Sequence, residues 1–440
     1  MELLKKKMIS TTYLLVWSIV VCMLSLILYG GAKKSIREKQ FVIEDVRNNL
    51  ETEYEIKNNN VILYGNDIRT YIELLRMPVE SAFQNIRVMI TNKKDNSIFY
   101  KMHDFDVVKK QLDAEGYRGK LIYQRAKDRT DEFVVINEVT LEEYLYGVVP
   151  SEMPSGYPME ALKAQAICAR TYAVIHMMNP AYPIYNAHVN DTTAFQVYHN
   201  IEEQNRTNRA VDETKGKLLF SEDGEELIEV FYYSTSCGQS CEASTNAEFY
   251  EYISKVYTSD VEVQEGWYRW SYDVEQIDEQ QILRRLQTRY QSNPSKILTM
   301  TGRDCYESLR INEMDVIKEL FVAKRGEGGV AEELIIATEK NIYKVIGEYN
   351  IRYVLNDPQV KVSKQDGTCV SMPTLLPSAF IALESIKNKE VVTGYKVIGG
   401  GYGHGVGMSQ NGAKGLAQLG YSAEQILEYF FPDSIVSKNL

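Results

Sequence analysis

The stretch from Val148 to Ala173, VVPSEMPSGYPMEALKAQAICARTYA, constrains the fold more than any other. Two prolines, Pro150 and Pro154, bracket a single carboxylate, Glu152. Proline fixes its own φ and pushes the preceding residue toward extended geometry, so the spacing predicts a stiff loop. A helix is expected behind it. Pro158 suits a first helical turn, and Ala161, Leu162, Ala164, Ala166, Ile167, Ala169 and Ala173 are mostly strong helix formers. Upstream, Thr140 and Glu143 fit a capping box over Leu141 to Tyr146, and Gly147 fits a helix stop. Glu152 is therefore expected on a rigid connector between two helices, where a catalytic carboxylate can be held. The plainer alternative is an exposed loop acid without a role.

At 440 residues the chain has room for two or three domains, or for one large domain with an anchor. A formal net charge of −11 argues against a nucleic-acid partner, because phosphate binding relies on clustered Lys and Arg. Six cysteines, at 22, 168, 237, 241, 305 and 369, are too sparse for a disulfide scaffold. Residues 11–32 carry no charge and are long enough to cross a bilayer as a helix. They read as an uncleaved anchor, with 1–10 a cytoplasmic tail and 33–83 a stalk. Basic residues flank the span on both sides, so the positive-inside count does not decide its orientation. In the stalk, Val42, Ile43, Val46 and Leu50 recur at near-helical spacing, as do Ile68, Tyr71, Ile72 and Leu75.

From Ile86 the pattern turns to β. Ile86, Val88 and Ile90 alternate, TNKKDN reads as a turn, and Ile98 and Tyr100 alternate again, which predicts a hairpin. GYRGKLIYQ, DEFVVINEV, KGKLLFS and ELIEVFYYSTS read as strands. Residues 262–316 look helical and polar, with Trp267 and Trp270 as either a glycan-stacking surface or plain core. ELFVAKRGEGGVAEELIIATEKNIYKVI reads as three strands joined by turns, and IRYVL as a short helix. Ser422 and Gln425 form a capping box over a last helix that Pro432 stops. The class is α+β: a mixed β-strand domain with a few helices over 84–440, preceded by one transmembrane helix.

A second dense stretch lies near the end. Between Gly399 and Gly407, six of nine residues are glycine, with His404 among them. Such density lets backbone approach a ligand or another strand closely. A nucleotide loop is disfavoured, because no GxGxxG spacing fits. The loop either presents His404 and backbone amides, with Ser409 and Gln410 opening the next helix, or is a tight turn with a structural histidine. Cys237 and Cys241 are close in sequence, yet two thiolates do not make a four-ligand site, so neither metal nor cofactor is expected. No nucleophile-elbow motif is present, and Cys168 reads as a buried small residue.

Taken together, PSEMP followed by ALKAQAICARTYA, then DTTAFQVY, YYSTSCGQS and GGGYGHGVGMSQNGAKGLA, resemble the stage II sporulation protein D family, also called the SpoIID/LytB amidase-enhancer family. The four motifs stand in family order over about residues 84–435. The resemblance implies a bacterial cell-wall protein held in the membrane and facing outward. It further implies a lytic transglycosylase that cuts between N-acetylmuramic acid and N-acetylglucosamine in glycan strands stripped of peptide by an amidase. The catalytic acid would be Glu152. One carboxyl can suffice for such a reaction: it protonates the leaving oxygen, then takes the proton of the sugar's 6-hydroxyl as a 1,6-anhydro ring closes. Val148, Val149 and Met153 are candidates to line its pocket.

Stripped muramic acid exposes a lactyl carboxylate. Lys163 and Arg170 share a helix face and could bind it, or Arg170 could bind groups inside the fold. Gln165 and Tyr172 of the same helix, Asp191, Thr192 and Gln196 of DTTAFQVY, and His404, Ser409 and Gln410 complete the expected substrate contacts. Some sporulation members bind zinc through one His and two Cys near the segment matching STSCGQSC. Here Tyr232 and Tyr233 precede that serine where a His is sought, leaving Cys237 and Cys241 as the only zinc candidates in that segment. The enhancer branch implies the competing reading, a non-enzymatic module that binds wall glycan and stimulates a partner amidase.

Overall fold

The computed structural model describes residues 83–127, 129–198, 203–238, 246–303 and 305–438. Apart from residue 83, the expected tail, anchor and stalk lie outside them. Among the described residues no helix is long and apolar enough to cross a membrane. The described fold is α+β, as expected. The stretch read as one domain divides into two compact units. One ends at Val230 and takes back Pro432–Leu440; the other is Phe231–Phe431.

The first unit is built on a mixed sheet. Its strands are β1 (Asn85–Ile90), β2 (Tyr100–Lys101), β3 (Lys120–Arg125), β4 (Glu132–Thr140) and β5 (Val189–Asn190). β4 pairs antiparallel with β1, β2 and β3, and β1 pairs parallel with β5. The apolar run Phe133 to Ile136 is buried throughout, as suits a strand covered on both faces. The expected Ile86–Tyr100 hairpin does not form. The turn closes through Asn92 N–H to Ser97 O at 2.8 Å, but Tyr100 pairs with Phe133 and stacks on its ring at 5.3 Å. β4 offers the apolar partner, so both arms pair with it rather than with each other.

Four α-helices and two further strands complete the described part of this unit. α1 (Phe105–Ala114) buries only Leu112 and had no clear sequence signal. α2 (Leu141–Glu152) starts as expected, with Thr140 Oγ1 accepting the Glu143 amide. It does not stop at Gly147. The Gly147 Cβ position lies 2.6 Å from the Tyr198 ring, so glycine serves a close approach and not a C-cap. Pro150 is tolerated in the last turn, and Ser151 Oγ donates to the Gly147 carbonyl at 2.7 Å. Pro154 then ends the helix by forcing Met153 extended (φ −133°, ψ 131°). Glu152 is therefore the last helical residue, not a loop residue. α3 (Met159–Met178) follows, with Pro158 just before it, and packs against α2, α4 (Asn205–Glu213) and β6 (Leu218–Ser221). Its small residues Ala161, Ala164, Ala166, Ala169 and Ala173 are fully buried and permit that approach. Ser434–Ser437 returns to pair antiparallel with β6.

The second unit begins with β7 (Tyr232–Tyr233), β8 (Trp270–Val274), β9 (Ile297–Gly302) and β10 (Cys305–Glu307). It continues with β11 (Ile317–Arg325), β12 (Ala331–Thr338), β13 (Ile342–Ile346), β14 (Lys361–Lys364) and β15 (Cys369–Ser371). β16 (Ile381–Asn388), β17 (Val391–Gly399) and β18 (Met408–Ser409) close it. Two five-stranded sheets, β10-β9-β13-β12-β11 and β15-β14-β8-β17-β16, contribute to one core. Its helices are α5 (Asn246–Ile253), α6 (Glu279–Ser292), α7 (Glu348–Leu355), α8 (Gln410–Gln418) and α9 (Ala423–Phe430). The three strands read from 319–346, the helix at 351–355 and the Ser422–Gln425 capping box are all present. The helical reading of 262–316 is corrected, for among the described residues only α6 is an α-helix there. In β8, Trp270, Tyr272 and Val274 point inward while Ser271 and Asp273 alternate between them, a period of two hidden by the polar residues. Trp270 is core, its indole N–H donating to Gly401 O at 3.1 Å, whereas Trp267 is half-buried against Tyr402.

Replacing Gly147 by alanine tests the close approach. Helix propensity alone predicts about 1 kcal/mol of stabilisation. The Tyr198 ring, tied through its hydroxyl to Asn137 at 2.9 Å, has nowhere cheap to go, so Gly147→Ala should instead destabilise by roughly 1–3 kcal/mol in thermal denaturation.

Candidate active site

Glu152 sits at the C-terminal end of α2, where the helix carries partial negative charge. An acid there costs stability, so folding alone gives no reason for it. Its Oε1 accepts the backbone N–H of Val197 at 2.7 Å. That amide is held by the loop around it. Asp191 Oδ1 accepts the Thr91 amide at 3.1 Å, and Asn190 Oδ1 accepts from both the amide and the hydroxyl of Thr192. Gln196 donates to Ala169 O at 3.2 Å and accepts from the Tyr144 hydroxyl at 3.3 Å. On the other side, Arg206 of α4 donates to Ser155 O and Tyr157 O at 2.9 and 2.7 Å, which braces the connector behind Glu152. Tyr172 faces the acid from α3. Burial, then the charges of Glu152 and Glu229, push its phenol up to about 12.

Several expected contacts are engaged by the protein itself. Arg170 is fully buried; Nε and Nη2 form a fork onto Glu142 at 2.9 and 2.7 Å, with further bonds to the carbonyls of Val211 and Lys217. Of its two readings, the one inside the fold is the one observed. Lys163 lies between Glu160 and Glu213 at 2.9 and 2.7 Å, and its ammonium is held above its usual range by the Glu213 hydrogen bond first. Gln165 is fully buried in α3. Asp191, Thr192 and Gln196 support the loop. Val148, Val149 and Met153 are core residues, not the lining of a groove. The structure thus brings together Glu152, Tyr172 and the DTTAFQVY loop. His404, Ser409 and Gln410 belong to the other unit.

Residues 129–220, which contain α2, α3 and the loop, match the family model described as SpoIID, stage II sporulation protein. The chain is 28% identical over 317 residues to stage II sporulation protein D of Bacillus subtilis, covering 69% of this chain and 76% of that one. It is also 28% identical over 307 residues to a Bacillus subtilis protein named amidase enhancer, where the match covers 67% of this chain but only 40% of the relative. The likeness to the SpoIID family thus covers residues 129–220 by the family model and about two thirds of the chain by these relatives. An uncharacterised protein of Brachyspira hyodysenteriae is 27% identical over 364 residues, 80% of this chain and 82% of that one. Residues 195–407 match a second family model, a domain of unknown function numbered 8618.

The second unit contains the glycine-rich loop. Gly407 has φ +80°, and its Cβ position falls 2.1 Å from Phe231 O, so only glycine fits. His404 is half-buried. Its Nδ1 accepts the Val406 amide at 3.1 Å, which leaves Nε2 to donate to Tyr232 O at 3.1 Å. Burial pushes its pKa down, so the ring is neutral and both nitrogens serve the loop, as the structural alternative has it. Ser409 caps α8 by accepting the Gly412 amide, and Gln410, the first residue of α8, is buried. Burial pushes the Cys237 thiol up to about 12. Among the described residues no three of His, Cys, Asp and Glu converge as metal ligands, and Cys241 lies outside them.

Two features carried no sequence signal. The Val197 amide has no side-chain identity to read. Glu262 sits in the charged run DVEVQEGW yet is 3% exposed, accepting the Ser236 amide and the Ser409 hydroxyl, each at 2.8 Å. Burial pushes its carboxyl from the usual 4.5 up to about 7. The folded state therefore holds a proton that the unfolded chain releases. That stabilisation is full below 4.5 and is lost as pH rises through about 7. Glu262→Gln should remove this dependence: between about pH 5 and about pH 8 its melting temperature should fall less than that of the wild type, and it should be the more stable protein at the upper end.

Proposed function

We propose that this chain is a cell-wall enzyme, a lytic transglycosylase acting on peptide-stripped glycan strands, held by residues 11–32 in the membrane with 84–440 on the outer side. The observation that carries the reading is the placement of Glu152: a carboxyl at the unfavourable end of α2, aimed by the Val197 amide and faced by Tyr172. In the reaction Glu152 gives its proton to the glycosidic oxygen as the bond to C1 breaks. The resulting carboxylate takes the proton of the 6-hydroxyl while O6 bonds to C1, which closes the 1,6-anhydro ring and restores the acid. The Val197 amide steadies the carboxylate, and the braced connector keeps it from swinging away. Tyr172, which lies on α3 and feels the charge of the acid, is proposed as a substrate contact.

The second reading is a non-catalytic enhancer of a wall amidase. It is favoured by the relative named amidase enhancer. One experiment separates the two. The protein is incubated with amidase-treated peptidoglycan and the products are examined by mass spectrometry for 1,6-anhydromuramyl ends. The lytic reading expects them from the wild type and expects Glu152→Gln to lower their rate by about 10²–10⁴-fold. Because the substitution removes a charge from the wrong end of a helix, the melting temperature should hold or rise slightly. No anhydro product from the wild type supports the enhancer; equal product from both proteins refutes Glu152 as the acid.

A further inference from the structure

Tyr172 and His176 stand one turn apart on α3 and so share a face. Their ring centroids are 4.4 Å apart. The His176 ring meets Phe195 edge-on at 5.2 Å, and Phe195 lies 6.2 Å from Tyr182. All four side chains are half-buried. Phe195 and Tyr182 rest in part on the core, and the Tyr182 hydroxyl accepts from Asn190 Nδ2 at 2.8 Å. The row begins at the proposed acid: Tyr172 feels the charge of Glu152, and Phe195 is two residues before Val197, whose amide binds it. Burial lowers the pKa of His176, which keeps that ring neutral.

We propose that Tyr172, His176, Phe195 and Tyr182 form a row of saccharide-stacking positions leading away from Glu152, on which successive pyranose rings of a β-1,4-linked glycan are seated. The proposal rests on the reading of Glu152 as glycan-directed. A pyranose presents an apolar face of C–H groups, which suits the electron-rich face of an aromatic ring, while its hydroxyls stay in water. Glu152 and Glu229, the carboxylates that act on Tyr172, and the net charge of −11 disfavour nucleic acid, which carries a phosphate on every unit and relies on clustered Lys and Arg. The tilts of 55°, 82° and 54° between neighbouring rings suit a chain whose sugar units rotate from one to the next better than a flat stack of bases.

The test uses the full chain carrying Glu152→Gln, so that binding is measured without turnover. The probes are the β-1,4-linked N-acetylglucosamine dimer and hexamer, titrated by calorimetry. Phe195→Leu keeps apolar volume but removes the aromatic face. It should weaken hexamer binding roughly tenfold and leave dimer binding unchanged, while Phe195→Tyr stays close to the parent. Should Phe195→Leu fail to fold, His176→Leu carries the same expectation. Hexamer binding by a folded Phe195→Leu protein equal to the parent's overturns the row, as does a parent that binds hexamer no better than dimer. If hexamer binding depends on Phe195 yet the wild type makes no anhydro product, the row stands and the lytic reading falls. If the wild type makes product and Phe195→Leu makes it with the same KM on long strands, the lytic reading stands and the row falls.

Discussion

The candidate site depends on a ring filling a gap. Gly147 leaves α2 without a side chain at one point, and Tyr198 occupies that point, with its hydroxyl on Asn137. This contact docks the loop of the DTTAFQVY stretch onto the helix. The residue before Tyr198 is Val197, and once the ring is seated its amide reaches the carboxyl of Glu152 further along the same helix. A side chain added at 147 would lift the loop, and the acid would lose the donor that aims it.

The loop's polar side chains are explained by the same requirement. A backbone amide is only as well placed as the segment that carries it. Asp191, Asn190, Thr192 and Gln196 each bind neighbouring backbone or side chains, and together they leave the loop little freedom. Arg206 does the same for the connector after Glu152. A charge at the negative end of a helix is a local expense, and the surrounding hydrogen bonds offset it. Arg170, by contrast, has its guanidinium filled by Glu142 and buried carbonyls, so its contribution is to hold α2, α3 and α4 in register.

In the second unit the dense glycines answer a packing need. Where the Gly407 Cβ position falls against Phe231 O, the chain gains a close approach between β18 and β7, and His404 ties the turn with both of its nitrogens. Ser409 links that turn to the buried carboxyl of Glu262, which also holds the Ser236 amide.

What the sequence determined by itself was local. The caps at Thr140 and Ser422, the strands of 319–346 and the helix over 159–178 depend on residues a few places apart, so their spacing records them. The four motifs that carry the family resemblance are likewise short runs. Glu152 could be singled out because two prolines stand beside it, but its position on the helix could not. Pro150 and Gly147 both argue for a break, and only the distant Tyr198 and the carbonyl bond of Ser151 explain why the helix continues. The pairing of Tyr100 with Phe133, the burial of Arg170 and Glu262, and the donor from Val197 were decided by tertiary structure alone. Each joins groups far apart in the chain, and a backbone N–H leaves no mark in the order of side chains.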